Sequence, residues 1–294
     1  MTMKKLSLVA TMLGILALPA NAVAEEISGP IPDASRVVSI GGSITEIIYD
    51  LGEEGRLVGR DTTSVFPEAA HKIPDVGYMR ALSPEGVLSI NPTAIIAVEG
   101  SGPREAIDVL KKASVPFVFV PENYTAESVS EKIRIVGKAL GVEDKAEKLS
   151  AKVEKELAAA EAETKNIKTR KRVLFVLSTT GGKIMAAGTK TAADGIIELA
   201  GGDNVVSGYS GYKTMTDEAI LTAQPDVILV MDIYGPRATT DADLLANKAI
   251  AATPAGQKKN IVRMGGQYLL GFGPRTAEAV HDLAKAFYGS ETSQ

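Results

Sequence analysis

One nine-residue segment occurs twice in this chain. Pro84-Glu85-Gly86-Val87-Leu88-Ser89-Ile90-Asn91-Pro92 returns as Asp217-Glu218-Ala219-Ile220-Leu221-Thr222-Ala223-Gln224-Pro225, and each copy runs into an apolar stretch, Thr93 to Val98 and Asp226 to Val230. Further upstream, Arg172-Val173-Leu174-Phe175-Val176-Leu177 repeats the character of Arg36-Val37-Val38-Ser39-Ile40, and Thr191 to Leu199 repeats the segment from Ser43 to about Leu51. A repeat is one structural unit used twice. The chain is therefore expected to fold as two similar lobes.

Within each half, short apolar runs alternate with helical patterns, which predicts parallel βαβ units. In the first half strands are expected at Arg36 to Ile40, Ala94 to Val98 and Phe117 to Val120, with helices at Ser43 to Leu51, Pro84 to Ile90, Pro103 to Ala113 and Ala126 to Leu140. Ser43 and Glu46 read as a capping box, and Thr191 and Asp194 stand in the same places in the second half. Thr179 to Thr189, around Gly181-Gly182, reads as a hairpin peculiar to the second half.

Between the halves, Val142 to Thr180 holds neither Gly nor Pro, and Leu149, Val153, Leu157 and Ala160 step by four, four and three. Asp144 with Lys148 and Glu161 with Lys165 add favourable i,i+4 pairs. This predicts one helix of about 25 residues, roughly 38 Å long. A coiled-coil strand would need several heptads, which Gly141 and Arg170 leave no room for. The expected fold is α/β: two similar βα lobes with parallel sheets, joined by a single long α-helix, with a ligand cleft between them. The expected limits are residues 33–141 for the N-terminal lobe, 142–169 for the linking helix and 170–290 for the C-terminal lobe.

Residues 1–24 read as a signal peptide rather than as part of the fold. Lys4 and Lys5 precede an apolar run from Leu6 to Leu18, small residues lead to Ala22-Val23-Ala24, and no acidic residue comes before Glu25. The run is shorter than the roughly 20 residues that span a bilayer. No Cys follows it to carry a lipid. Export to a periplasm as a soluble monomer is the expectation.

The formal net charge is −4, and removal of Lys4 and Lys5 makes it more negative, which argues against nucleic acid as a partner. With Cys at zero, disulfides and thiolate metal sites are excluded. Only two His are present, His71 and His281, so a site of several imidazoles is excluded too.

Ligands of open parallel sheets bind beyond the carboxyl ends of the strands, and a cleft between lobes is a common pocket. The stretch that stands out among the loops is Asp75-Val76-Gly77-Tyr78-Met79-Arg80-Ala81-Leu82-Ser83-Pro84-Glu85. It sets a phenol two residues from a guanidinium. A phenolate is a hard anionic oxygen that suits ferric iron, and Tyr is one of the standard haem ligands. A neighbouring Arg favours the ionised phenol. Taken alone, the same residues also fit a core-edge Tyr beside a solvated Arg. Gly41-Gly42-Ser43 fits a carboxylate site at a helix N-terminus, or simply a tight turn with its cap.

The run from Gly77 to Leu82, together with Gly41-Gly42-Ser43-Ile44-Thr45-Glu46 and Leu270-Gly271-Phe272-Gly273-Pro274-Arg275-Thr276, resembles the periplasmic haem-binding proteins of bacterial haem-uptake ABC transporters. The resemblance covers nearly all of the chain after the signal peptide. It implies a non-enzymatic protein that captures haem b as transported cargo and delivers it to an inner-membrane permease and its ATPase, with an outer-membrane haem receptor system upstream. It also implies that Tyr78 ligates the iron and Arg80 hydrogen-bonds the phenolate. Glu85 and Glu218, the equivalent acids of the repeat, match the pair that meets Arg residues of the permease; each equally suits a helix first turn. Some relatives add a His from the second lobe, but no His stands in a second-lobe loop here, so five-coordinate or water-ligated iron is expected.

Of the eight Tyr, Tyr209, Tyr212, Tyr234 and Tyr268 fall in second-lobe loops, where their faces suit either a flat macrocycle or ordinary packing. Lys213, Arg237 and Arg275 are candidates for the propionates, and Gly273-Pro274-Arg275 also reads as the lead into the last helix. The rival cargo within this class is a siderophore or cobalamin. A periplasmic hydrolase with Ser43 or Ser101 as nucleophile is the remote alternative, since neither lies in Gly-x-Ser-x-Gly.

Overall fold

The computed structural model describes residues 29–232 and 239–289, so the expected signal peptide and the loop carrying Tyr234 and Arg237 lie outside the described residues. The N-terminal lobe comprises β1 (Val37–Ile40), α1 (Gly42–Asp50), β2 (Leu57–Arg60), α2 (Pro84–Leu88), β3 (Ala94–Val98), α3 (Arg104–Lys112), β4 (Phe117–Val120) and α4 (Ala126–Leu140). α5 (Glu143–Thr164) leads to β5 (Arg172–Ser178), β6 (Met185–Ala187), α6 (Ala192–Leu199), β7 (Asp203–Asn204), β8 (Tyr212–Thr214), α7 (Asp217–Ala223) and β9 (Val227–Asp232). The described chain ends with α8 (Asp241–Ala246), α9 (Lys248–Ala252), α10 (Pro254–Lys258), β10 (Ile261–Gly265), α11 (Gly266–Leu270) and α12 (Thr276–Tyr288).

The first sheet runs β2-β1-β3-β4 and is parallel throughout, with Val37 to Ile40 in register with Ala94 to Ala97. Strands β1 and β3 are buried on both faces, as parallel strands covered by helices must be. The second sheet runs β10-β9-β5-β6-β8, with β7 alongside β5. It is mixed, because the expected hairpin brings β6 back antiparallel to β5 and β8 antiparallel to β6. The duplication extends to the backbone: Asn91 and Gln224, each before the Pro that closes its copy, have φ of 51° and 41°. α2 and α7 are capped alike, Ser83 accepting from the Gly86 N–H and Thr216 from the Ala219 N–H.

Helix α5 is 22 residues long rather than 25. Its buried stripe is Ala146, Ser150, Val153, Leu157, Ala160 and Thr164, one position off the expected line at its start, where Leu149 is only half-buried. The stripe packs on α4 of the first lobe and α12 of the second. Burial of a side chain such as Leu157 contributes about 2 kcal/mol. The expected i,i+4 pairs give way to cross-helix ones, Arg134 of α4 donating to Glu147 and Glu154.

The expected capping box at α1 does not form. Gly41 is the N-cap, and its N–H and that of Gly42 donate to Asp61 and Thr63. The anion-like demand of that helix terminus is met by the chain itself, and the Glu46 side chain turns toward the second lobe. In the second copy Thr191 does cap, accepting from the Asp194 N–H at 3.1 Å.

Helices α4 and α5 meet closely, so a Cβ at Gly137 would overlap the Ala146 Cβ. Gly137→Val is therefore expected to lower the unfolding free energy by about 1–3 kcal/mol in urea titration, while Lys155→Ala on the exposed face of α5 stays within about 0.5 kcal/mol.

Candidate functional site

The loops after β1, β2 and β4 meet the second lobe, through Gly42 and Val65 against Gln267 and through Tyr124 against Gly195. Buried Asp61 anchors the loop after β2. Its carboxylate accepts from the Gly41 N–H at 2.9 Å, the Ser64 hydroxyl at 2.8 Å, and the Thr63 N–H and hydroxyl at 3.0 and 2.8 Å. Buried hydroxyls of Ser39 and Thr45 continue the chain to Ser64. A buried carboxylate needs such donors to remain charged away from water.

This loop fixes the Tyr78 turn. Thr62 N–H donates to Gly77 O at 3.0 Å, Val76 N–H to Arg60 O at 2.9 Å, and Gly77 N–H to Asp75 Oδ1 at 2.8 Å. Gly77 sits at φ 104°, a region that favours glycine. The turn thrusts Tyr78 outward, 42% exposed, unusual for a residue that is normally half-buried. Arg80 Nη1 donates to the Tyr78 phenol oxygen at 3.2 Å.

Two further phenols share this neighbourhood. Tyr124, at the end of the loop after β4, is pushed up to about 12, chiefly by burial and then by Glu122 and Tyr212, with Arg80 opposing. Tyr212, on β8 of the second lobe, is raised by burial, and Arg80 again opposes while Tyr78 adds to the rise. Arg80 thus acts electrostatically on both Tyr124 and Tyr212, and Tyr78 acts on Tyr212 of the other lobe. Tyr124 meets Phe272 edge-on at 5.3 Å, and its carbonyl oxygen lies where a Cβ at Gly195 would be.

Helix α4 carries a fully buried lysine, Lys132, that no sequence motif marks. Lys132 Nζ donates to Glu122 Oε1 at 2.7 Å and to Ser43 Oγ at 3.3 Å, joining α4, the loop after β4 and the start of α1. Burial lowers the Lys132 pKa and raises that of Glu122, each against the partner's charge. The signal was available: Lys132 stands in line with Val129, Ile133 and Val136 on the buried face of α4.

The other candidates are placed differently. Lys213 points to the opposite sheet face from its neighbour Tyr212, as alternation requires, and its Nζ lies 5.2 Å from the centre of the Tyr209 ring. Tyr268 donates to Asp282 at 2.9 Å. Arg275, a propionate candidate in the sequence, is occupied across the lobes, with Nε and Nη2 on the two oxygens of Glu46 at 3.0 and 2.9 Å. Gln267, unmarked by any motif, donates to Gly42 O at 2.9 Å and accepts from the Val65 and Phe66 N–H groups at 2.8 and 3.0 Å. Glu85 and Glu218 are both exposed, in the first turns of α2 and α7, and form no salt bridge among the described residues. His71 is exposed, and His281 pairs with Glu163 of α5 at 2.8 Å. Ser43 receives Lys132, and Ser101 donates to Val98 O at 2.7 Å, so neither has an imidazole beside it.

The Lys132–Glu122 pair generates a test. Lys132→Met leaves the Glu122 carboxylate buried without its cation, a change that costs about 3–5 kcal/mol near neutral pH. A folded pKa raised above the unfolded value means that stability falls as pH rises through the carboxylate range, and losing Lys132 steepens that fall. Denaturant titrations should show the variant's deficit to be larger at about pH 7 than at about pH 4.

A profile of the periplasmic binding protein family matches residues 37–268. The periplasmic heme-binding protein RhuT from Roseiflexus sp. RS-1, solved in apo form, superposes with a TM-score of 0.83 at 38% identity, over 88% of this chain and 100% of that one. The periplasmic heme-binding protein BhuT in complex with two hemes gives a TM-score of 0.80 at 40% identity, over 86% of this chain and 97% of that one. The vitamin B12-binding protein of Yersinia pseudotuberculosis serotype O:1b (strain IP 31758) is 26% identical over 230 residues, 74% of this chain and 78% of that protein.

Proposed function

The chain belongs to the periplasmic binding protein family, and from that premise we propose that it captures haem in the cleft between its lobes and delivers it to an inner-membrane ABC transporter. The observation that carries this reading is the Tyr78 phenol, exposed and receiving a hydrogen bond from Arg80 at 3.2 Å. The guanidinium places positive charge beside the oxygen that becomes anionic when it ligates ferric iron. Tyr212 offers an aromatic wall on the far side of the cleft, with Arg237 as a propionate partner; Lys213 serves that role only by leaving Tyr209. Haem b, bound through iron and propionates without covalent attachment, is the form such a site takes. Similarity to two heme-binding proteins over almost their whole lengths supports the same cargo. Export by cleavage after Ala24 and a monomeric state complete the proposal.

Haemin titration followed by visible absorption tests it. Tyr78→Phe should abolish the phenolate-to-iron charge-transfer band and weaken binding by more than 100-fold, and Arg80→Ala should weaken it by about 10-fold while keeping the band. An unchanged haem spectrum in Tyr78→Phe removes Tyr78 from the site. The likeness to a vitamin B12-binding protein favours cobalamin as the second reading. Uptake of cyanocobalamin with no response to haemin would establish it instead.

Glu85 and Glu218 supply the docking to the permease. They occupy equivalent places in the two lobes, exposed and without ion pairs among the described residues. Two anchors on separate lobes let the transporter grip both at once, so losing both costs more than losing one. Glu85→Ala with Glu218→Ala is expected to leave haemin titration unchanged and to cut haem transfer into proteoliposomes carrying the permease and ATPase by about 10-fold or more. Wild-type transfer rates over a range of salt would reduce both residues to helix first-turn acids.

A further inference from the structure

The contacts that join the lobes lead straight to the Tyr78 turn. From the second lobe, Gln267 and Arg275 reach into the first. Gln267 Oε1 accepts from the N–H groups of Val65 and Phe66, and its Nε2 donates to Gly42 O and, at 3.2 Å, to Glu46 Oε2. Arg275 holds both oxygens of the buried Glu46 carboxylate, and its backbone N–H adds a third bond at 3.1 Å. Its guanidinium lies 3.4 Å from the centre of the Phe66 ring and 5.2 Å from that of Tyr268, so Phe66 of the first lobe covers it.

The segment they grip, residues 61–66, is the one that fixes the turn: Thr62 N–H holds Gly77 O, the residue before Tyr78, and Thr63 Oγ1 touches Met79 Sδ at 3.9 Å. Gly42 permits the grip. A Cβ there would meet Gln267 Cδ and Thr63 O, both at 2.8 Å. The path from Gln267 to Tyr78 runs through one short loop and two hydrogen-bonded contacts.

We propose that Gln267 and Arg275 form an interlobe latch that sets the Tyr78 turn, so that separating the lobes loosens the grip on the cargo. The inference rests on the reading of Tyr78 as the cargo's anchor. Gln267 and Arg275 are positioning residues, acting through residues 61–66 rather than on the cargo. A partner that draws the two lobes apart breaks the latch first, which ties release to docking through a change in the populations of closed and open forms.

The chain has no Cys, so a pair of spin labels at Lys112→Cys and Lys258→Cys reports the distance between lobes without background. Two latch variants are compared in that protein: Gln267→Ala, which removes the bonds, and Gly42→Ala, which wedges Gln267 away without removing a polar group. Both are expected to shift the interlobe distance distribution to longer values and to speed haemin transfer to apomyoglobin by about fivefold or more. The phenolate charge-transfer band stays in place, because Tyr78 itself remains. A wild-type distance distribution in both variants overturns the latch, and an opened distribution with a wild-type transfer rate overturns its link to Tyr78. If the parent protein takes up no haemin, the functional reading fails, and the distance distributions alone decide whether the lobes are latched.

Discussion

The arrangement of the lobes depends on one buried carboxylate. Glu46 lies on α1 with its side chain 3% exposed, and a charge at that depth is stable only where donors surround it. Arg275 and Gln267 supply those donors, and both come from the opposite lobe. The requirement to satisfy Glu46 therefore brings the second lobe against the first at the carboxyl ends of the strands. Helix α5 fixes the far side by packing on both lobes. A spine on one side and a polar clasp near the cleft leave limited freedom for hinge bending, so modest changes in lobe separation are the movement this design favours.

The same economy shapes the site. Asp61 gathers the start of α1 and the loop after β2, and that loop positions the Tyr78 turn. The phenol is left exposed with a guanidinium on its oxygen, while Tyr124 and Tyr212 beside it are buried enough to hold their protons above the ordinary range. In the proposed reading Tyr78 is the phenol that ligates, and the other two supply apolar surface. Lys132 and Glu122 tie α4 to the loop after β4 that carries Tyr124.

Much of this was legible in the sequence. Apolar runs bounded by Gly and Pro gave the strands, Gly141 at φ 69° ends α4, and the duplicated segment foretold two lobes of one design, a likeness that in the structure extends to the left-handed residues at Asn91 and Gln224. The hydrogen bond from Arg80 to the Tyr78 oxygen agrees with what the family resemblance implied. The failures were of long range. Ser43 and Glu46 satisfy the local pattern of a capping box, but a buried partner on another lobe outcompetes a local backbone N–H, and no local pattern encodes that. Gln267 carried no signal beyond its place at the end of a strand, since its partners lie near the other end of the chain. Lys213 was assigned by its loop position alone, and strand alternation turned it to the other face.

The most direct test of haem capture between the lobes is a crystal structure of the haemin complex with data collected at the iron absorption edge. The account predicts an iron peak bonded to the Tyr78 phenol oxygen, Arg80 still on that oxygen and Tyr212 against the macrocycle. An iron peak away from Tyr78, or haem lying outside the space between the lobes, would contradict it.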